Sequence, residues 1–160
     1  MSHPLHLAWA EVSVFCHSTE SEAKVKKALM NIFPEETAET LTISTQYLRG
    51  HYTDKITVIN AALKKGADAL LSHIIKSLSS LDRTSLLDEL ESRTDESGNL
   101  YLRLNKQQAF LGHIELSDSD PIRIKLKLRA TGRHVSTRYL EEALNELAEE
   151  QQTKEDETEE

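Results

Sequence analysis

Cysteine occurs once, at Cys16, and glycine only five times in 160 residues. A lone thiol cannot close an internal disulfide, and its place in AEVSVFC suits a small buried hydrophobe in a reduced, cytoplasmic setting. Five glycines are few for a phosphate-cradling loop, and GxGxxG, GxxxxGK[ST] and GxSxG are all absent. Seven histidines form no HxxxH pair. His17 follows Cys16 directly, so in a strand the two leave on opposite faces and form no thiolate pair. No apolar run approaches the roughly 20 residues of a membrane span. The opening MSHPLHLAWAEV has no basic n-region and breaks its apolar stretch at Glu11, so no signal peptide is expected. These absences argue against an enzyme, a metal or other cofactor, and a membrane partner.

What remains is ordinary for one globular domain: 38% hydrophobic and 29% charged residues. The formal net charge of -8 is unevenly distributed. Residues 141–160 hold ten of the 27 acidic groups and only one of the 19 basic ones, Lys154. Taking these away leaves 18 basic and 17 acidic groups in residues 1–140. Residues 99–138 hold eight basic groups and three acidic ones, so a near-neutral body carries a basic sector and an acidic end. The end, EEQQTKEDETEE, lacks apolar residues and is expected to be disordered from about Glu150. It reads as a solubilising tail or as an acidic arm that shields the basic sector.

The periodicity predicts a strand over 5–17, with Ala8, Ala10, Val12, Val14 and Cys16 on one face and Glu11, Ser13 and His17 on the other. A helix over 19–33 follows, capped by Thr19 with Glu22 and stopped by Pro34. Strands are predicted over 40–48 and 55–63. Gly66 opens a helix with the stripe Ala67, Leu70, Leu71, Ile74, Ile75 and Leu78. A short helix over 83–93 follows, with Asp82 as N-cap and Leu81 and Leu86 as a staple. Next come a strand over 99–104, a helical turn over 105–110, the strand HIEL at 113–116 and a basic strand. A last helix begins near Ser136, with Leu140, Ala143, Leu144 and Leu147 inward. The order β-α-β-β-α-α-β-β-β-α implies an α+β fold, with a mainly antiparallel sheet and helices on one face. One domain is expected over 1–149.

The basic strand lies in PIRIKLKLRATGRH. Ile122, Ile124, Leu126 and Leu128 alternate with Arg123, Lys125, Lys127 and Arg129, so one face is aliphatic and the other cationic. Arg133 and His134 follow closely. Two readings stay open: phosphate contacts for a polyanion, or lysines and arginines guarding a sheet edge against aggregation. Tyr101, Arg103 and Lys106 would add an aromatic ring and cations, the combination that stacks bases and neutralises phosphates. The connection Arg49-Gly50-His51-Tyr52 is a turn, or it presents Arg49 and His51 to a ligand. The last helix packs on its own sheet or meets a protein partner.

AEVSVFCHSTESEAKV, LRGHYTDKITVINAAL, DESGNLYLRLNKQQAFLG and DPIRIKLKLRA resemble segments of an archaeal family of small RNA-binding proteins, predicted to be exosome-associated. The resemblance spans about residues 8–130. That family is similar in fold to the large-subunit ribosomal protein that binds 5S rRNA, which implies an α+β domain and RNA as partner. The RNA candidates on this resemblance are Arg49, His51, Tyr101, Arg103, Lys106 and the rail Arg123, Lys125, Lys127 and Arg129; Arg133, past the matched span, joins them on its charge alone. The expected function is non-enzymatic binding of structured RNA through a basic sheet face. The alternative is a module that docks RNA-processing or ribosomal proteins.

Overall fold

The computed structural model describes residues 7–49, 55–129 and 133–159. Five strands, β1 (Leu7–Cys16), β2 (Leu41–Arg49), β3 (Lys55–Leu63), β4 (Asn99–Leu104) and β5 (Ile122–Leu128), form one sheet in the order β2-β3-β1-β5-β4. All four pairings are antiparallel. The helices are α1 (Glu22–Asn31), α2 (Ala67–Ser77), α3 (Ser80–Asp88), α4 (Leu90–Arg93), α5 (Lys106–Phe110) and α6 (Arg133–Glu159). This is the expected α+β class, with apolar residues sorted by period: two in the strands, 3.6 in the helices.

One sheet face is core. Val12, Val14, Ile59, Ala61, Ile124 and Leu126 lie there, with Leu100 and Leu102 of β4, all at most 2% exposed. The predicted α2 stripe, from Ala67 to Leu78, is also buried, and α6 adds Leu140, Ala143 and Leu144. α2 begins at Gly66, whose φ of 89° lies in the left-handed region that favours glycine.

Several boundaries differ from the sequence expectation. Ser21, not Thr19, caps α1 by accepting from the Lys24 amide at 3.4 Å. Residues before it form a turn instead, closed by the Glu20 amide donating to the His17 carbonyl. Ser79, not Asp82, caps α3. Leu81 is therefore 76% exposed and no staple forms with buried Leu86. The helix expected over 83–93 is interrupted at Glu89, whose φ of −104° and ψ of 6° leave the α region. HIEL is not a strand: Leu116 makes only an isolated bridge to Leu104. With β4 already paired to β5 on one side, a single bridge is all that segment contributes.

α6 runs to Glu159, through the segment expected to be disordered. Side-chain bonds one turn apart stand in for apolar packing there: Gln151 to Glu155 at 3.4 Å and Gln152 to Asp156 at 3.1 Å. Glu155 also reaches the buried Arg83 guanidinium at 3.7 Å. α6 packs on α2, α3 and α4, so its acidic end lies on the helical side of the sheet and does not cover the basic strand. Among the described residues no helix is long and apolar enough to cross a membrane.

Candidate nucleic-acid interface

The other face of the sheet is open, and strand register decides what stands on it. Ser13 of β1 is opposite Arg123 of β5, which is opposite Arg103 of β4. One row along, Glu11, Lys125 and Tyr101 align; in the next, Trp9, Lys127 and Asn99. On the far side of β1, Asn60 and Ser44 continue the first of these rows. Side chains opposite one another across a ladder share a face. The face thus carries four cations (Arg103, Arg123, Lys125, Lys127) against Glu11, with Trp9, Phe15 and Tyr101 among them. A shallow concavity of about 550 Å³ lies here, lined by Ser13, Gln46, Asn60, Tyr101, Arg123 and Lys125 among others.

Alternation with Glu11 and Ser13 puts the tryptophan there, and a β-bulge keeps Leu7 from following it. The β1–β5 register shifts between Leu7, paired with Leu128, and Trp9, paired with Lys127. Strict alternation would place Leu7 and Trp9 on the same face. The extra residue, Ala8, sends Leu7 into the core and leaves Trp9 on the open face. It also takes Ala8 out of the inward row expected for it.

The rings and cations are interleaved. The Lys125 ammonium lies 5.5 Å from the Trp9 ring centre and 6.0 Å from that of Tyr101. The Arg123 guanidinium lies 5.1 Å from the Phe15 ring. Such contacts contribute about 0.5–1 kcal/mol each at exposed sites. Among the described residues, no carboxylate lies within ion-pair distance of Arg123, Lys125 or Lys127, while Arg103 has Asp118 at 3.3 Å. That pair is exposed on both sides, so it contributes little to stability. Lys127 donates to the Ser97 carbonyl in the turn before β4.

Tyr101 is held from below. Its hydroxyl donates to Asp95 Oδ2 at 2.8 Å, and Asn99 Nδ2 donates to the same oxygen at 2.9 Å. Desolvation alone would raise the Asp95 carboxyl. The side chain and amide of Asn99, the Tyr101 hydroxyl and the Ser97 amide outweigh it and hold the carboxyl at about 2. The same hydrogen bond, with desolvation and the Asp95 charge, raises the Tyr101 hydroxyl, which stays protonated and donating.

The remaining candidates separate. Arg129 is exposed just past β5. Arg49 is exposed at the end of edge strand β2, three strands from β5 and on the helical face by register. His51 lies outside the described residues, and Arg133 opens α6 with its side chain outside them.

Lys106 requires correction, because it is buried, 7% exposed, at the start of α5. Its ammonium donates to the Phe15 carbonyl at 2.7 Å, Asp120 Oδ2 at 2.8 Å and Glu20 Oε1 at 3.1 Å. A cation fully engaged in this way joins β1 to two loops and is not free for phosphate. His17, Glu20 and Asp120 are the group among the described residues whose donors could hold a metal, lying within 4.8 Å of one another. The Lys106 ammonium already neutralises that cluster from within, so a metal ion would have to displace it.

Trp9 and Phe15 were not among the candidates. Their signal is the alternation W-x-E-x-S-x-F in β1: rings at the positions that share a face with Glu11 and Ser13. That alternation is legible in the sequence; what it faces shows only once β5 is known to pair with β1.

An antiparallel sheet with helices on one side and rings among cations on the other has the surface chemistry of a nucleic-acid-binding α+β domain. A family model described as RNA binding matches residues 9–128, and the chain belongs to that family. It is 33% identical over 126 residues to the RNA-binding protein PAB1135 of Pyrococcus abyssi, covering 74% of this chain and 80% of that one. The crystal structure of protein AF2318 from Archaeglobus fulgidus superposes with a TM-score of 0.74 at 30% identity, covering 86% of this chain and 99% of that one. The structure of Mth689, a DUF54 protein from Methanothermobacter thermautotrophicus, gives 0.70 at 29% identity, covering 86% and 98%.

Proposed function

We propose that this chain binds structured RNA, mainly through the open, basic face of its sheet. The observation that carries the reading is the place of β5 in the strand order. It lies between β1 and β4, while the edges are β2 and β4. A guard against edge-to-edge pairing belongs on an edge, so the rail needs another reason. Four like charges along one face stand about 6.7 Å apart, which costs only ~0.6 kcal/mol per neighbouring pair in water. A polyanion turns that cost into attraction. The membership of an RNA-binding family and the name of the Pyrococcus abyssi relative point the same way.

The test is a filter-binding titration over salt. With about four phosphates neutralised, log K falls against log salt with a slope of about −3 to −4. A flat response, or no binding to total RNA at low salt, contradicts the reading.

One observation favours a second reading, docking of a protein of an RNA-processing or ribosome-associated assembly. Leu81 and Leu111 are 76% and 62% exposed, away from the open sheet face. Leu111→Asp would then abolish co-purification of such a partner and leave RNA affinity unchanged.

A further inference from the structure

A rail of cations is enough for phosphates and does not need rings. Yet three of the eight aromatic residues of the chain, Trp9, Phe15 and Tyr101, stand on this one open face. Each lies next to a cation: Lys125 between Trp9 and Tyr101, Arg123 over Phe15. None is deep in the core: Trp9 and Phe15 are half-buried and Tyr101 is 39% exposed. Register and one local anchor set the rings in place. Trp9 shares the face of Glu11 and Lys125 by alternation and pairing, and the Asp95 carboxylate anchors the Tyr101 hydroxyl. A ring fixed by its polar tip presents its π-face at low entropic cost.

A paired A-form helix hides its base faces and offers phosphates and 2′-hydroxyls, with which rings gain little. Unpaired nucleotides expose base faces that stack on aromatic side chains, sequence-tolerantly. Charge and ring positions therefore complement a segment whose bases are free and whose phosphates lie between them. We infer that the open sheet face takes unpaired RNA, a loop, bulge or single strand, with bases stacking on Tyr101 and Trp9 and phosphates held by Lys125 and its neighbours. Phe15 sits about 20 Å along β1 from Trp9, six residues at ~3.3 Å each, and serves the far end of the same segment. This rests on the sheet-face reading above and names the form of RNA it selects.

The chain supplies its own probe, because Trp9 is its only tryptophan. The experiment titrates the full-length protein with a mixed-sequence RNA strand and with the same strand annealed to its complement. Tryptophan fluorescence and filter binding are both read. The expected result is quenching and tighter binding with the unpaired strand, and little fluorescence change with the duplex. Tyr101→Ala should weaken single-strand binding about tenfold or more and leave duplex binding nearly unchanged. Tyr101→Phe, which keeps the ring but not its Asp95 anchor, should recover most of the single-strand affinity that Tyr101→Ala loses, and controls for folding. Equal affinity for the two RNAs without quenching would overturn this inference and leave the sheet-face reading standing. Failure of both RNAs to bind at low salt would overturn that reading as well.

Discussion

Arg103 and Arg123 stand directly opposite each other across the β4–β5 ladder, two guanidinium side chains on the open face of the sheet. Like charges so placed destabilise a sheet by about 0.2–1 kcal/mol. Asp118 beside Arg103 and the Phe15 ring beneath Arg123 offset part of that. What remains is a fraction of a kcal/mol, so the pair is close to neutral for folding. Arg123→Gln should leave unfolding free energy within about 0.5 kcal/mol while weakening RNA binding several-fold. Parallel thermal unfolding and filter binding check this. A large drop in stability with RNA affinity intact would make Arg123 a structural residue.

Lys106 should behave in the opposite way. It was legible as a cation close to a basic strand, but its ammonium serves Phe15, Glu20 and Asp120. Lys106→Met takes the ammonium from the Phe15 carbonyl and from two carboxylates that then keep only His17 as a donor among the described residues, a loss of about 1.5–3 kcal/mol. Denaturant unfolding should show that loss. The folded fraction should keep most of its RNA affinity.

The fold was mostly legible in the sequence, because period and burial agree almost everywhere. The stripe from Ala67 to Leu78 and the inward set Ile122, Ile124, Leu126 and Leu128 are buried as their spacing implies. The differences arise where local chemistry has two solutions. Ser79 and Asp82 are both good caps three residues apart, and the serine wins by accepting from the Asp82 amide. The site was half legible. Tyr101, Arg103 and the rail could be read from alternation, but the place of Trp9 beside Lys125 depends on a pairing with β5 that the sequence does not show. Lys106 could not be excluded without the distant Glu20 and Asp120 around it.

Acid should loosen the support of Tyr101. The Asp95 carboxyl is held at about 2, below an unfolded value near 3.9. A depressed carboxyl stabilises the fold fully above its unfolded value and loses that contribution as pH falls through the folded one. The window therefore runs from about pH 4 down to about pH 2. Asp95→Asn should lower Tm at neutral pH, and the gap to the parent should close across that window. A gap that does not change with pH would show that the charge of Asp95 is not what matters.

The acidic end of α6 should be irrelevant to RNA. It lies on the helical side, where Glu155 meets Arg83. A chain ending at Glu149 should bind RNA as the full chain does, with a modest loss of stability from the exposed Arg83 neighbourhood. Equilibrium binding at matched salt measures it. A clear rise in affinity on truncation would show that the end shields the basic face after all.

The central claim is a place: RNA lies on the open face made by β1, β5 and β4. Ultraviolet crosslinking of the bound complex, followed by mass spectrometry of RNA-linked peptides, reads that place directly. The account predicts crosslinks in the peptides of Leu7–Cys16, Asn99–Leu104 and Ile122–Leu128, centred on Trp9, Phe15 and Tyr101. Crosslinks confined to α1, α3 or α6 at saturating RNA would contradict it.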